Sequence, residues 1–228
     1  MPRLYLFAEG QTEQTFASAV LAPHLANHQV WLHPPVLIAH ARKKGRTHRG
    51  GVGRGRYLPL KNDILRFLAQ EKGTDVFFTT MIDLYKIHKE LPGLAEAEKL
   101  RVSPRQRTEF LEQAFAADIG DSRFIPHIQL HEFEACLFSD PDGFRLFYDH
   151  HDEQIANLTA IAGKYATPEL IDDGETTAPS KRIIAEFPDY EDAKVAQGSQ
   201  IAELIGLDKI RGKCPHFSDW LSRLESLR

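Results

Sequence analysis

Four acidic residues stand where an α/β fold would bring them together. Glu9, Glu13 and Asp83 follow apolar runs that read as buried strands, and Glu134 opens a predicted helix after the apolar segment 124–130. In open parallel sheets, ligands bind at the carboxyl ends of the strands. Clustered carboxylates need a cation to offset their repulsion, and oxygen ligands suit Mg²⁺ or Mn²⁺. The pattern therefore predicts a metal-dependent enzyme acting on phosphodiesters.

The first acidic pair belongs to the segment Glu-Gly-Gln-Thr-Glu at residues 9–13. A glutamate at a strand end and another in the first turn of the next helix can face one crevice. Gly10 permits a tight turn and the close approach of a phosphate, and helix N-terminal amides favour anions. Two structural alternatives stay open: Glu13 as a helix-capping acid, and Asp83 as a strand-terminal acid satisfied by backbone amides.

A further acidic pair lies in the segment His-Glu-Phe-Glu-Ala at residues 131–135. Glu132 and Glu134 form a compact polar group with His131 beside an apolar stripe. A lone histidine is more often a hydrogen-bonded structural residue than a ligand. Zinc is not expected, because no set of His and Cys residues has the spacing of a zinc site.

A strongly basic segment contrasts with the formal net charge of −4. Residues 42–56 contain seven Lys or Arg residues, five glycines and no acid, which leaves −11 for the rest of the chain. The seven are Arg42, Lys43, Lys44, Arg46, Arg49, Arg54 and Arg56. Glycine frees the backbone to follow a phosphate chain, so the segment is interpreted as a nucleic-acid-binding arm. The alternative is a solvated insertion whose charge serves solubility.

The order of apolar patterns predicts an α/β core followed by a helical region. Strands are predicted at 4–8, 30–39 (split by Pro34 and Pro35), 76–83 and 124–130; helices at 13–26 with Thr12 as N-cap, 61–71 and 105–118. Strands that alternate with helices indicate a mostly parallel sheet. Helices dominate afterwards, at 142–148, 153–162, 180–186, 198–205 and 217–227. We therefore expect a catalytic core at 1–139, with the basic insertion at 41–57, and a helical region at 140–228 packed on it.

Composition limits the class of protein. A chain of 228 residues that is 42% hydrophobic can bury a sizeable core. No apolar stretch approaches the roughly 20 residues that span a bilayer, so no membrane role is expected. Two distant cysteines and no signal-like start indicate a cytoplasmic protein.

Three acidic motifs taken in order resemble the TOPRIM domain of topoisomerases, primases and OLD-type nucleases. They are Glu-Gly-Gln-Thr-Glu at 9–13, Asp-Leu-Tyr at 83–85 and His-Glu-Phe-Glu-Ala at 131–135. The chain more narrowly resembles bacterial TOPRIM-like proteins linked to anti-phage defence and to ABC/AAA-type ATPase partners. That likeness extends to Ala-Pro-Ser-Lys-Arg-Ile at 178–183 and Lys-Cys-Pro-His-Phe at 213–217, and so covers nearly the whole chain.

The resemblance implies a set of site residues. Glu9 and Asp83 would hold a divalent metal, and Glu13 matches the nuclease branch. Tyr85 stands where these enzymes usually carry a second aspartate, and a phenol stays protonated near neutral pH and binds Mg²⁺ poorly. Either Glu132 or Glu134 completes the site, or only one metal binds tightly. The cation that steadies the transition state is sought among Lys181, Arg182, Arg211 and Lys213, with Lys181 placed in the catalytic set.

Two functions follow as hypotheses from different classes. The first is a Mg²⁺-dependent (or Mn²⁺-dependent) nuclease that cleaves DNA or RNA, in anti-phage defence with an ATPase partner. The second is a non-catalytic, TOPRIM-like binding or regulatory subunit of an ATPase complex, which Tyr85 favours. A strand-passing topoisomerase is less well supported, because no separate domain supplies a nucleophilic tyrosine and gate. A small-molecule phosphotransferase is disfavoured by the absence of a Walker-type loop.

Overall fold

Parallel strands form the centre of the molecule in a computed structural model. It describes residues 1–43, 46–49, 57–85, 87, 89–172 and 174–228, with only the backbone for residues 39–43 and 46–49. The strands are β1 (Arg3–Ala8), β2 (Trp31–Leu32), β3 (Val36–Leu37), β4 (Ala39–Lys43), β5 (Arg46–Arg49), β6 (Val76–Asp83), β7 (Phe124–Ile125) and β8 (Ile128–Gln129). β2 and β3 pair with β1, β1 pairs with β6, and β6 pairs with β7 and β8, all parallel. The predicted mostly parallel α/β sheet is confirmed.

Helices flank the sheet and fill the second half of the chain. They are α1 (Gln11–Phe16), α2 (Ala22–Asn27), α3 (Tyr57–Gln70), α4 (Leu94–Ala97), α5 (Pro104–Ile119), α6 (Asp152–Ala162), α7 (Pro179–Glu186), α8 (Tyr190–Ile205), α9 (Leu207–Lys213) and α10 (Pro215–Glu225). A π-helical segment, Ala17–Leu21, joins α1 to α2. Short 3₁₀ helices lie at Glu98–Leu100, Phe133–Ser139, Pro141–Leu146 and Pro168–Leu170. The predicted helical C-terminal region is confirmed.

Prolines divide two of the predicted strands. The break between β2 and β3 at Pro34 and Pro35 is confirmed. The single strand predicted at 124–130 is wrong, because Pro126 has no N–H to give to a sheet ladder. Thr80 fills the gap: its hydroxyl accepts from the backbone N–H of His127 at 3.0 Å and donates to the carbonyl of His127 at 2.9 Å.

Several predicted helix boundaries are wrong. The N-cap of α1 is Gly10, and Thr12 lies buried in the first turn. α8 begins at Tyr190, eight residues before the predicted start at 198, and α9 was not predicted. The long α8 matters most, since it adds a side chain to the site described below.

Each face of the sheet covers its own hydrophobic core. Along β1, Leu4 and Leu6 join one core and Phe7 joins the other, as the alternation of a strand requires. The first core also contains Phe217 and Leu224 of α10, so this helix packs on the same face of the sheet as Leu4 and Leu6. The second core is covered by α3 and α5. The boundary at residue 139 stays a prediction.

The basic insertion is described only in part. β4 and β5 form an antiparallel pair, an element that was not predicted. Lys44, Arg54 and Arg56 lie outside the described residues, as do the side chains of Arg42, Lys43, Arg46 and Arg49. Among the helices that the structure describes, each is too short or too polar to span a bilayer.

Candidate functional site

The carboxyl ends of β1 and β6 lie side by side at the centre of the sheet. The chain leaves β1 towards β2 on one side and leaves β6 towards β7 on the other, which makes this the point where the strand order reverses. Glu9 directly follows β1, and Asp83 ends β6. The backbone N–H of Asp83 donates a 2.9 Å hydrogen bond to Glu9 Oε2. Two predicted ligands therefore meet at the binding edge of the sheet.

The third acidic motif joins them through the backbone. Beyond β8, the N–H of Tyr85 donates to the carbonyl of His131 at 2.7 Å, which continues the alignment of the two segments. The N–H of Phe133 then donates to Asp83 Oδ1 at 3.0 Å. Glu132 and Glu134 flank Phe133 and are both buried. The acidic cluster thus comprises Glu9, Glu13, Asp83, Glu132 and Glu134.

His131 makes the turn into this motif. It is buried and has a φ of 63°, in the left-handed region that non-glycine residues rarely adopt. Such backbone positions cluster at functional sites. We interpret His131 as the turn that directs Glu132 and Glu134 towards Asp83.

Glu13 folds back over the start of its own helix. A Cβ atom placed on Gly10 would lie 2.8 Å from Glu13 Oε2, so a larger residue at position 10 would displace this carboxylate. The backbone N–H groups of Glu13 and Gly10 favour its charged form. An acid at the third helical position that reaches the N-cap is half of a capping box. Glu13 therefore lies where the structural alternative would place a capping acid, and it also belongs to the acidic cluster.

Burial and mutual repulsion destabilise the charged forms of these acids. Burial, followed by the charges of Glu13 and Glu9, raises the pKa of Asp83 well above its usual range. Burial also raises the pKa of Glu9. For Glu13 and Glu134, burial raises the pKa to about 7. Near neutral pH the cluster therefore retains protons that a bound cation would displace.

Lys194 is a functional candidate that the sequence analysis missed. Its Nζ lies 3.8 Å from Glu134 Oε1, and the charge of Glu134 is the largest cause of its raised pKa. Lys194 is on α8, four residues after Tyr190 and four before Gly198, and both of these are buried. A spacing of four places all three on one helix face. This spacing is visible in the sequence, but it indicates a shared helix face only if the helix begins at Tyr190, as α8 does.

Gly198 allows α8 to approach the acidic cluster closely. A Cβ atom there would lie 2.9 Å from Tyr190 Oη and 3.3 Å from Thr12 Cγ2. Tyr190 Oη is buried and has no hydrogen-bond partner among the described residues. Burial, followed by the charge of Glu134, raises the pKa of this phenol well above its usual range. The phenol therefore stays protonated beside the carboxylates and can donate a hydrogen bond into the site.

Three of the four cations expected from the sequence have other partners, and the fourth is exposed. Lys181 is on α7 next to Ser180, whose N–H donates to Glu132 Oε2 at 2.8 Å, but Lys181 Nζ lies 3.9 Å from Glu191. Arg182 donates to the carbonyl of Thr177 and to the Tyr165 hydroxyl. Arg211 is paired with Glu225, and Lys213 is exposed. Among the residues that the structure describes, Lys194 is thus the lysine that pairs with an acid of the cluster, whereas Lys181 lies near Glu191.

The donor atoms of the acidic cluster suit a hard divalent cation. All five side chains offer carboxylate oxygens, which are the ligands of Mg²⁺ and Mn²⁺. The raised pKa values of four of them, Glu9, Glu13, Asp83 and Glu134, indicate charge that the protein alone does not fully offset. Among the described residues, two trios have their ligand atoms within 4.8 Å of one another, and neither belongs to the acidic cluster: His24, His28 and Glu225, and Glu112, His127 and His216. The carboxylate oxygens of the acidic cluster would therefore have to move closer together to bind one ion.

The comparisons with known proteins give one match. The family described as a domain of unknown function, DUF4276, matches residues 8–225 of the chain. The searches of curated proteins and of solved structures found no match. The matched range contains the whole acidic cluster and Lys194.

Proposed function

We propose that this chain, which belongs to the DUF4276 family, is a divalent-cation-dependent nuclease. The observation that carries the proposal is the meeting of Glu9, Asp83 and the segment 132–134 where the strand order reverses. Structural acids at strand ends need no such convergence, since each can be satisfied by its own backbone amides. Five acids in one place, three of them buried and two half-buried, are instead costly unless a cation offsets their charge.

The roles of the residues follow from their positions. Glu9 and Asp83 would hold Mg²⁺ or Mn²⁺, with Glu132 or Glu134 completing the oxygen ligands. The chemistry that such an ion supplies is activation of water and stabilisation of negative charge on the phosphate. Near neutral pH, Glu13 and Glu134 can accept or donate a proton, because their pKa values are raised to about 7 by burial.

Lys194 supplies a positive charge beside Glu134. Its side chain is 33% exposed, so it can contact both Glu134 and a bound phosphate group. An ammonium group in that position would stabilise charge that develops on a phosphate oxygen. Lys194 would therefore serve the role that the resemblance assigns to a catalytic cation.

The basic segment supports a nucleic acid as the substrate. Seven positive charges in residues 42–56 contrast with −11 on the rest of the chain. Phosphate contacts from such a segment provide affinity without sequence specificity. The segment begins within β4, which starts two residues after β3, and β3 pairs with β1, which leads to Glu9. A polymer held by the segment would therefore be near the acidic cluster.

Cleavage of a mixed substrate panel tests the proposal. Supercoiled plasmid, linear duplex, single-stranded DNA and tRNA are incubated with Mg²⁺, Mn²⁺ or EDTA. We expect metal-dependent cutting by the wild type and by Glu153→Gln, an exposed acid on α6. Glu9→Gln and Asp83→Asn should lose it. Equal cutting by all four proteins would mean that a contaminant or another site is responsible.

The alternative is a binding or regulatory subunit of an ATPase complex. A specific observation favours it: three of the acids already have protein partners, since Glu9 accepts from Asp83, Glu132 accepts from Ser180 and Glu134 faces Lys194. In that case the panel stays uncut and divalent metals do not raise the melting temperature. A role in anti-phage defence with an ABC/AAA-type ATPase belongs to either function and rests on the resemblance alone.

A further inference from the structure

A second group of ligand-type side chains lies at the outer edge of the sheet, away from the acidic cluster. Glu112 is on α5, His127 stands in the break between β7 and β8, and His216 is in the first turn of α10. The backbone of His127 is hydrogen-bonded to the side chain of Thr80, which lies three residues before Asp83 on β6. A strand rises about 3.3 Å per residue, so the two groups are about 10 Å apart along the strand.

The three ligand atoms are spaced as ligands of one metal ion would be. Glu112 Oε1 lies 3.0 Å from His216 Nε2 and 3.7 Å from His127 Nδ1, and all three atoms are within 4.8 Å of one another. Ligands about 2.1 Å from a tetrahedral zinc ion are roughly 3.4 Å from one another. The two separations from Glu112 Oε1 are close to that value, and the two imidazole nitrogens lie within 4.8 Å of each other.

One buried ring nitrogen of His127 is not accounted for by hydrogen bonds among the described residues. Its side chain is fully buried, and Nδ1 has no hydrogen-bond partner among the described residues. Nε2 lies 3.4 Å from Gln129 Oε1, an acceptor, so the proton belongs on Nε2. Nδ1 therefore directs its lone pair towards Glu112. Buried polar atoms without a partner are rare and need a reason, and a metal ion would supply one.

We propose that Glu112, His127 and His216 form a site for a divalent transition metal, with zinc as the best match. Two imidazoles and one carboxylate are the protein ligands of catalytic zinc sites, which keep a position open. Imidazole ligands favour zinc over Mg²⁺, so this site and the acidic cluster select different ions. A cavity of about 150 Å³ lined by Glu112, His216 and Trp220 borders the trio, and it leaves room for water or a ligand on the metal.

The surrounding contacts hold the ligands in place. Glu112 Oε1 accepts from the N–H of Ile128 at 2.8 Å. The carboxylate of Glu169 accepts from the N–H groups of His216 and Phe217, which fixes the start of α10. Trp220 stacks on the His127 ring at 4.2 Å. Outer contacts of this kind orient metal ligands and fix the tautomer.

The other trio is less suitable for a metal. There, Glu225 accepts from Arg211 at 2.8 Å and lies 2.7 Å from His24 Nε2. A guanidinium on the carboxylate competes with a cation for the same oxygen. No Lys or Arg among the described residues pairs with Glu112. The contrast makes His24 a matched control for His216.

Zinc affinity of the full chain tests the proposal, measured near pH 7.5 by competition with a chromophoric chelator. We expect one Zn²⁺ to bind, and its Kd to rise at least about 100-fold in His216→Gln and in Glu112→Gln. The controls His24→Gln and Asp83→Asn should bind as the wild type does. Equal affinity in all five proteins, or loss in His24→Gln or Asp83→Asn instead, would overturn the assignment.

X-ray absorption of the zinc-loaded wild type tests it without a variant that must fold. Two imidazoles should give the multiple-scattering signature of histidine ligands. A shell of oxygen alone would place the ion at carboxylates and would overturn the proposal, as would the absence of any bound zinc. Neither result depends on nuclease activity, so this site and the proposed function can fail separately.

Discussion

The backbone N–H of Asp83 donates to the side chain of Glu9 across the boundary between β6 and β1, at 2.9 Å. One acid is thus held in place by the backbone of another, at the point where the two central strands present their carboxyl ends together. The side chain of Asp83 in turn accepts from Phe133. These two hydrogen bonds connect three motifs that together span more than a hundred residues of the sequence.

Replacing Asp83 by asparagine should stabilise the metal-free protein. The charge of the half-buried Asp83 lies among four other acids, whereas an amide keeps an acceptor for the N–H of Phe133. We expect the free energy of unfolding at pH 8 to rise by about 1 kcal/mol or more, since one pKa unit corresponds to about 1.4 kcal/mol. Urea unfolding with EDTA measures it. A loss of stability would mean that Asp83 is a structural acid.

Stability of the metal-free protein should fall as pH rises from about 4.5 to about 7. Glu13 and Glu134 have pKa values raised by burial from 4.5 to about 7, so the folded state binds more protons than the unfolded state in this window. The slope is then negative, by up to about 1.4 kcal/mol per pH unit for each group, and it levels off above the folded pKa. Urea unfolding across pH measures it. In the double variant Glu13→Gln/Glu134→Gln, the free energy of unfolding should depend less steeply on pH than in the wild type. An unchanged slope would assign the titration to other groups.

Gly10→Ala should disturb the site through Glu13. The new Cβ would meet Glu13 Oε2 at 2.8 Å, while the φ of −133° suits alanine. We expect the activity to fall about 10-fold, as a small displacement of a ligand does, and this is measured as kcat/KM. The matched control is Gly212→Ala on α9, where a Cβ meets nothing within 4 Å and should stabilise the helix by about 1 kcal/mol. Equal activity in both variants would remove Glu13 from the site.

Lys194→Met should reduce catalysis, with Lys181→Met as the control. Lys194 faces Glu134, whereas Lys181 lies near Glu191 at the surface. We expect kcat to fall about 100-fold or more in Lys194→Met, as when one preorganised donor is removed. Lys181→Met should stay within about 3-fold. The reverse order would restore Lys181 as the catalytic cation expected from the sequence.

Neutralising the basic segment should weaken nucleic-acid binding in a salt-dependent way. Glutamine is introduced at Arg42, Lys43, Lys44 and Arg46. The plot of log affinity against log salt should become shallower by roughly 0.7 to 0.9 for each phosphate that the protein no longer neutralises, as measured by fluorescence anisotropy. The control carries glutamine at four exposed lysines, Lys72, Lys99, Lys164 and Lys213. Equal slopes for the two variants would mean that the segment serves solubility.

The main features of the acidic cluster could be predicted, because strand ends are visible in the sequence. Apolar runs that stop at Ala8 and Asp83 define two parallel strands, and parallel strands place their carboxyl ends at one edge. The break at Pro126 was also visible, but the apolar residues on both sides of it suggested one strand. Lys194 was missed because the start of α8 was set too late.

The second trio could not be predicted from local spacing. Glu112, His127 and His216 span more than a hundred residues, and they meet only because α5 and α10 cover the same edge of the sheet. The expectation that zinc is absent was drawn from local spacing alone, which gives no information on such distant ligands. The inferred zinc site therefore depends on tertiary structure, in contrast to the acidic cluster.

Binding of Mn²⁺ tests the central claim most directly, because it asks whether the acids form a metal site whatever the substrate. Free Mn²⁺ is titrated by electron paramagnetic resonance against the wild type, Asp83→Asn and the control Glu153→Gln. We predict saturable binding to the wild type and to Glu153→Gln, and its loss in Asp83→Asn. Equal binding by all three proteins, or no binding by any, would contradict the account.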